Sequence, residues 1–186
     1  MTDFADFLRA ALAVYALTGV VVLASTCGGE ARAQGVSPAI IHARACVGEL
    51  GWRAPDEACV AIVGVHRRRS ALTGASPEQV ARVYSRALRS PPSPRRWVRQ
   101  LHDRPTAPAA WPIGPSWAAA RARFAQIVDV AREALSGTRP EACPGAVHYG
   151  GLMDGTPSGH EEACRWRVGR GAQVFYRRAG EVSGPS

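Results

Sequence analysis

The sequence predicts a mainly α domain of the α+β class, with a small C-terminal β-hairpin and an apolar N-terminal helix ahead of it. Three observations carry this prediction. Four stretches between residues 37 and 135 repeat apolar residues at the helical period, the chain beyond Cys143 turns glycine-rich with short alternating pieces, and residues 10–27 form an uncharged apolar run. A chain of 186 residues that is 46% hydrophobic and 20% charged is long enough for one domain with a real core plus a short extension. The expected divisions are a signal peptide or membrane anchor over 1–34, the folded domain over 35–178 and a frayed tail over 179–186.

The N-terminal run, "AALAVYALTGVVVLASTC", follows Arg9 and precedes Ala31-Arg32-Ala33, the small-x-small pattern of a signal-peptidase site. An exported protein, periplasmic or extracellular, is expected. The run also approaches the ~18 residues of a spanning helix, so an uncleaved membrane anchor through residues 10–27 stays open. Lipidation at Cys27 is a weaker option, because "LAST" places a threonine in that segment.

The first helix begins at "SPAIIHARACVGEL", with Ser37 as N-cap, Pro38 at the first helical position and Ile40, Ala43, Val47 and Leu50 as its stripe. Gly51 ends it. The second opens at "APDEACVAIVGVHRRR", where Asp56 and Glu57 favour the positive end of the helix dipole and Cys59, Ile62, Val63 and His66 share a face. The four-residue connection "GWRA" makes these two an antiparallel hairpin. The third helix starts at "SPEQ", a capping box of Ser76 and Gln79, with Val80, Val83, Tyr84, Ala87 and Leu88 expected to face inward. Residues 90–115 are proline-rich and carry Trp97, Leu101 and Trp111, so an ordered flap is expected there. The fourth helix runs from about Ser116 to Leu135 on a stripe of Trp117, Ala120, Phe124, Ile127, Val128, Ala131 and Leu135, and Gly137 caps it. The alternation at Trp166-Val168 and Val174-Tyr176 suggests a hairpin turning at Gly169-Arg170-Gly171.

Removal of residues 1–33 leaves Cys46, Cys59, Cys143 and Cys164, an even set with three possible pairings. Their grouping suggests 46 with 59 and 143 with 164. In a helical hairpin, Cys46 and Cys59 stand at similar distances from the turn. No C-x-x-C or H-x-x-x-H pair occurs, so neither a metal nor a cofactor is expected, and "GHEEAC" reads as a loop pinned at Cys164. The formal charge is +8, carried entirely by arginine because the chain has no lysine. That skew reflects coding bias, but the charge still favours an anionic partner. Without zinc-finger spacing, a basic coiled coil or an aromatic RNA-binding motif, nucleic acid is not expected.

Glu49 is the candidate for chemistry. It lies at the edge of the first helix's apolar stripe and at that helix's negative end, a place where burial and the dipole both disfavour a carboxylate's charged form. A glutamic acid kept protonated is what glycoside cleavage needs of its general acid. Alone, the residue reads as an ordinary solvated glutamate. Trp52, Tyr84 and Tyr149 can wall a cleft, His148 can hydrogen-bond at a turn, and Arg67, with Arg68 and Arg69, ends the second helix.

The succession of a helix, "E-x-G-W", the helix "DEACVAIVGVHRRR", a proline-bearing middle, a long helix ending "ALSG" and finally "CPGAVHYGG" resembles the SleB-type cell-wall hydrolases over residues 38–178. The resemblance implies a lysozyme-like fold and cleavage of the β-1,4 bond between N-acetylmuramic acid and N-acetylglucosamine by a monomer acting on peptidoglycan strands. Glu49 would match the catalytic acid, whose single carboxyl serves as acid and then base in the lytic transglycosylases. His66-Arg67 stands where the family has Asn-Arg, and His148 and Tyr149 match an aromatic-polar cluster facing the glutamate. Trp52, Tyr84, His66 and Arg67 join these two as expected substrate contacts. No second carboxylate can be named, although Asp154 follows closely. A non-catalytic wall-binding or envelope-structural protein on the same fold is the alternative, and a metallopeptidase a distant third.

Overall fold

The computed structural model describes residues 36–89, 100–107, 115–169 and 171–180. The signal or anchor expected over 1–34, with Cys27, therefore lies outside the described residues, as do Trp97, Trp111, Arg170 and the tail from 181. Among the described residues no helix is long and apolar enough to cross a membrane.

Among the described residues five helices precede a three-stranded antiparallel sheet, an α+β arrangement that is mainly helical. Helix α1 spans Pro38–Leu50 and α2 Asp56–Thr73. Pro38 starts α1, and its C-cap is Gly51 at φ 78°, a left-handed value that suits glycine. The reversal between α1 and α2 is fastened by a disulfide between Cys46 and Cys59, whose Cα atoms lie 5.2 Å apart. Helix α3, Pro77–Tyr84, opens with the expected capping box: Gln79 N donates to Ser76 Oγ at 3.2 Å and Ser76 N donates to Gln79 Oε1 at 2.9 Å. Helix α4 is the short Arg86–Arg89, and α5 is Trp117–Ser136, with Ser116 Oγ accepting from Ala119 N.

The third helix differs from the expectation in one respect. Ser85 sits at φ −73°, ψ 116°, an extended conformation that ends α3 and rotates α4 against it. Val83, expected to face inward, is 71% exposed, because α3 turns Val80, Ala81 and Tyr84 inward instead, while Ala87 of α4 is buried.

The core is formed by α1, α2 and α5, closed by Leu101 and Phe175. Helix α2 is the central element: Ala58, Ile62, Val63 and Val65 are fully buried. Leu101 packs at 1% exposure, and Arg121 Nε and Trp117 Nε1 of α5 donate to the carbonyls of Leu101 and Arg104, so residues 101–104 lie along that helix.

The sheet has the order β1-β3-β2, with β1 His148–Gly151, β2 His160–Val168 and β3 Gly171–Arg178. The expected hairpin is β2–β3. Strand β1 pairs on its other side, setting His148 opposite Tyr176 and Tyr149 opposite Phe175. A second disulfide, Cys143–Cys164, with Cα atoms 5.9 Å apart, ties the loop before β1 to β2. Arg68 fastens the same loop to α2, donating to Ala146 O at 2.6 Å and Cys143 O at 2.8 Å and pairing with Glu141. Two disulfides suggest an oxidising, exported environment.

Candidate functional site

Glu49 is the penultimate residue of α1, and the residue before it makes its surroundings possible. A Cβ on Gly48 would collide with the side chain of Ala87, so only glycine lets α4 approach α1 this closely. That approach brings two donors to one carboxylate oxygen: Ser85 Oγ donates to Glu49 Oε1 at 2.7 Å and Ala87 N at 2.9 Å. The extended Ser85 and the glycine therefore serve one purpose, to seat Glu49 with Oε1 anchored. Among the described residues no hydrogen bond falls on Oε2. Gly48→Ala should push α4 away and cost about 1–3 kcal/mol, the usual cost of overpacking. A melting curve checks this, and an unchanged melting temperature would contradict it.

Glu49 borders a groove of about 960 Å³ between the end of α1, the first half of α5 and the β2–β3 turn. Trp52 and Arg53 extend the α1 wall, Ala119 and Arg123 belong to α5, and Val168 and Gln173 come from the hairpin. Among the described lining residues Glu49 is the only carboxylate. Arg123 is held by Ala54 O at 2.9 Å and Asp56 Oδ1 at 2.8 Å, which balances its charge locally.

Behind the glutamate lies a row of buried polar side chains. His42 of α1 and His66 of α2 are both 0% exposed, and their Nδ1 atoms meet at 3.0 Å. His66 Nε2 lies 3.1 Å from the Tyr149 hydroxyl. Burial raises the Tyr149 phenol well above its ordinary value, and the Glu49 carboxylate and Tyr84 add to this. Burial lowers His42 to about 4, against a small opposing pull from Glu78. It lowers His66 well below its ordinary value, with His42 and Arg69 adding to the effect.

These two histidines give the fold a signed pH dependence. The unfolded chain protonates them near their ordinary value of about 6.5, while the folded chain holds His42 neutral down to about 4. The unfolded state thus binds more protons between those values, so stability is lost as pH falls from 6.5 toward 4. Each such histidine contributes about 1.4 kcal/mol per pH unit, so the melting temperature should drop on the order of 5–10 °C between pH 7 and pH 5. A flat profile would contradict the neutral buried pair.

A second arm runs outward from Tyr84. Its hydroxyl is hydrogen-bonded to His148 Nδ1, Arg69 lies 4.4 Å over its ring, and Tyr149 meets it edge to face with centroids 5.1 Å apart. His148 Nε2 is 3.4 Å from Arg69 Nη1, and its ring stands 4.5 Å from that of His160. Burial lowers His148, and Arg69, His160 and Arg178 lower it further.

Comparison with family models, with curated proteins and with solved structures finds no match for this chain.

The residues singled out from sequence therefore fall in different places. Glu49 and Trp52 share the groove. Tyr149 and His66 stand in the buried row behind Glu49, and Tyr84 and His148 form the outer arm. Arg67 is elsewhere: its Nη1 donates to Ala134 O at 3.0 Å, near the C-terminal end of α5, as suits a cation at a helix's negative end. Asp154 accepts from Gly151 N at 2.6 Å and is exposed. Sequence reasoning passed over His42, Gly48, Ser85 and Gln173. Two of them left a trace: a glycine inside a helix beside the one acidic residue, and a serine interrupting the run "VYSRAL".

Proposed function

We propose that this protein is an exported peptidoglycan glycosidase of lysozyme-like fold, cleaving the bond between N-acetylmuramic acid and N-acetylglucosamine with Glu49 as general acid and then base. The observation that supports this most is a single anchored carboxylate on the wall of a groove large enough for several sugar units. Protonated Glu49 gives its proton to the glycosidic oxygen as the C1–O bond breaks, and positive charge develops on the ring carbon and oxygen. The resulting carboxylate then takes a proton from the nucleophile. Hydrolysis with a second carboxylate, as nucleophile or as base for water, has no candidate among the described lining residues. This favours attack by the substrate's own 6-hydroxyl, with Glu49 receiving its proton. Trp52 supplies an apolar wall for a sugar face, and the net charge of +8 suits an anionic wall polymer. Incubation with purified peptidoglycan should release soluble glycan fragments. Undiminished release by Glu49→Gln would sink the assignment.

A non-catalytic peptidoglycan-binding or envelope-structural protein is the second reading. One observation favours it: the bonds from Ser85 and Ala87 to Oε1 also close the junction of α3 and α4, a purely structural use of Glu49. Retention on wall sacculi with no product by mass spectrometry would select it.

A further inference from the structure

We propose that Gln173 is the specificity-determining residue of the groove, its side-chain amide donating a hydrogen bond to the N-acetyl carbonyl of a bound amino sugar. The proposal rests on the reading of the groove as a glycan site for the ligand it names, and it does not depend on Glu49 cleaving that ligand.

Four polar side chains are found among the described lining residues of the groove: Glu49, Arg53, Arg123 and Gln173. Glu49 Oε1 is held by Ser85 and Ala87, Arg123 is held by Ala54 and Asp56, and Arg53 is exposed to water. Gln173 is only 7% exposed, yet its amide has no hydrogen-bond partner among the described residues. The strand explains how an amide comes to this place. Alternate residues of a strand share a face, so Gln173 lies on the face of Phe175, which is fully buried in the core. Across the ladder its neighbour on β1 is Gly151, which brings no side chain, and on β2 it is Trp166, whose ring packs against Phe175 with centroids 5.1 Å apart. The inward face of β3 therefore passes from core to groove between Phe175 and Gln173. An apolar residue at 173 would extend the core. An amide there gives up water without gaining a bond, a cost that the chain's own packing does not offset. A bound ligand supplies the missing partner.

The chemistry of that partner follows from the amide and from the walls beside it. Nε2 offers two N–H donors and Oε1 one carbonyl acceptor, in a groove where Leu50, Trp52 and Val168 are apolar. A ring hydroxyl would satisfy the amide and leave those walls unused. An acetamido group uses both: its carbonyl accepts from Nε2 and its methyl packs against the apolar wall. Oε1 then accepts from a neighbouring sugar hydroxyl. The acetamido group does not react, so the contact holds ground state and transition state alike.

Two neutral β-1,4 tetrasaccharides, N-acetylchitotetraose and cellotetraose, differ only in carrying acetamido or hydroxyl at C2, and their binding can be titrated by NMR without turnover. The wild-type chain should prefer the N-acetylated sugar by about tenfold or more, and Gln173→Met, which keeps the side-chain length and removes the amide, should cut that preference by about tenfold. The melting temperature of the variant should not fall, because no bond of the folded chain is lost. On peptidoglycan the variant should raise KM about tenfold with kcat within about twofold, the reverse of the split expected for Glu49→Gln. A preference kept in full by Gln173→Met would overturn the proposal, as would equal binding or no binding of the two sugars by the wild-type chain. A lowered melting temperature would mark Gln173 as a structural residue and overturn it too. Cleavage of peptidoglycan by a chain that does not distinguish the two sugars would leave the glycosidase reading standing without the proposal. A wild-type chain inert on peptidoglycan that still selects the N-acetylated sugar through Gln173 would remove that reading and keep the proposal.

Discussion

Replacing Glu49 by glutamine is expected to lower glycan release on the order of 10²–10⁴-fold, the span that general acid–base catalysis contributes, while the protein stays folded. The amide oxygen of glutamine can accept both bonds that now end on Oε1, from Ser85 Oγ and Ala87 N, so the α1–α4 contact permitted by Gly48 survives. What is lost is the ability to give and regain a proton. A loss of activity accompanied by collapse of the melting temperature would instead mark Glu49 as a structural cap for α4. The same substitution removes the negative charge that helps push the Tyr149 phenol up, so Tyr149 should ionise at lower pH in the variant, a change readable by ultraviolet titration.

The second large effect concerns the disulfides. Each closes a loop, of 13 residues for Cys46–Cys59 and 21 for Cys143–Cys164, and a loop of that size restricts the unfolded chain enough to contribute about 3 kcal/mol. Cys46 and Cys59 are buried between α1 and α2, beside the turn that carries Trp52. Cys164 is only half-buried, on β2. Under mild reductant Cys143–Cys164 should open first, in the native state, and Cys46–Cys59 only on unfolding. Paired serine replacements at 143 and 164 should lower stability by about 3 kcal/mol in denaturant melts. Simultaneous reduction of both bonds would contradict the burial difference.

What the sequence made legible followed from strong local signals. Pro38 and Gly51 bracket α1, the Ser76–Gln79 box opens α3, and the stripe from Trp117 onward sets α5, because caps and periodicity act within a few residues. The cysteine pairing was legible because the four cysteines fall into two groups along the chain, with members 13 and 21 residues apart, and the first pair flanks the α1–α2 reversal. Strand β1 was not: "HYGG" has four residues and no alternation, and its partner β3 lies more than twenty residues on. The inward direction assigned to Val83 failed because α3 packs through Val80, Ala81 and Tyr84, and the single helix expected through Leu88 is divided at Ser85, which bonds to Glu49, a tertiary contact that local propensity does not record. His42 carries no local signal, and only the packing of α1 on α2 reveals its contact with His66. At the candidate site, Glu49 and Trp52 were found from a short helix-end motif, whereas the groove's other walls come from α5 and the hairpin and are brought together only by folding.

If one carboxylate, Glu49, cleaves the glycan with the sugar's own hydroxyl as nucleophile, the products carry the mark of that route. Mass spectrometry of fragments released from purified peptidoglycan tests it most directly. The expected result is fragments with muramic acid ends lighter by one water than hydrolysis products, abundant with the wild-type chain and absent with Glu49→Gln. Fragments carrying a full water at the new end would contradict the single-carboxylate route, and equal fragments from both chains would contradict the role of Glu49 altogether.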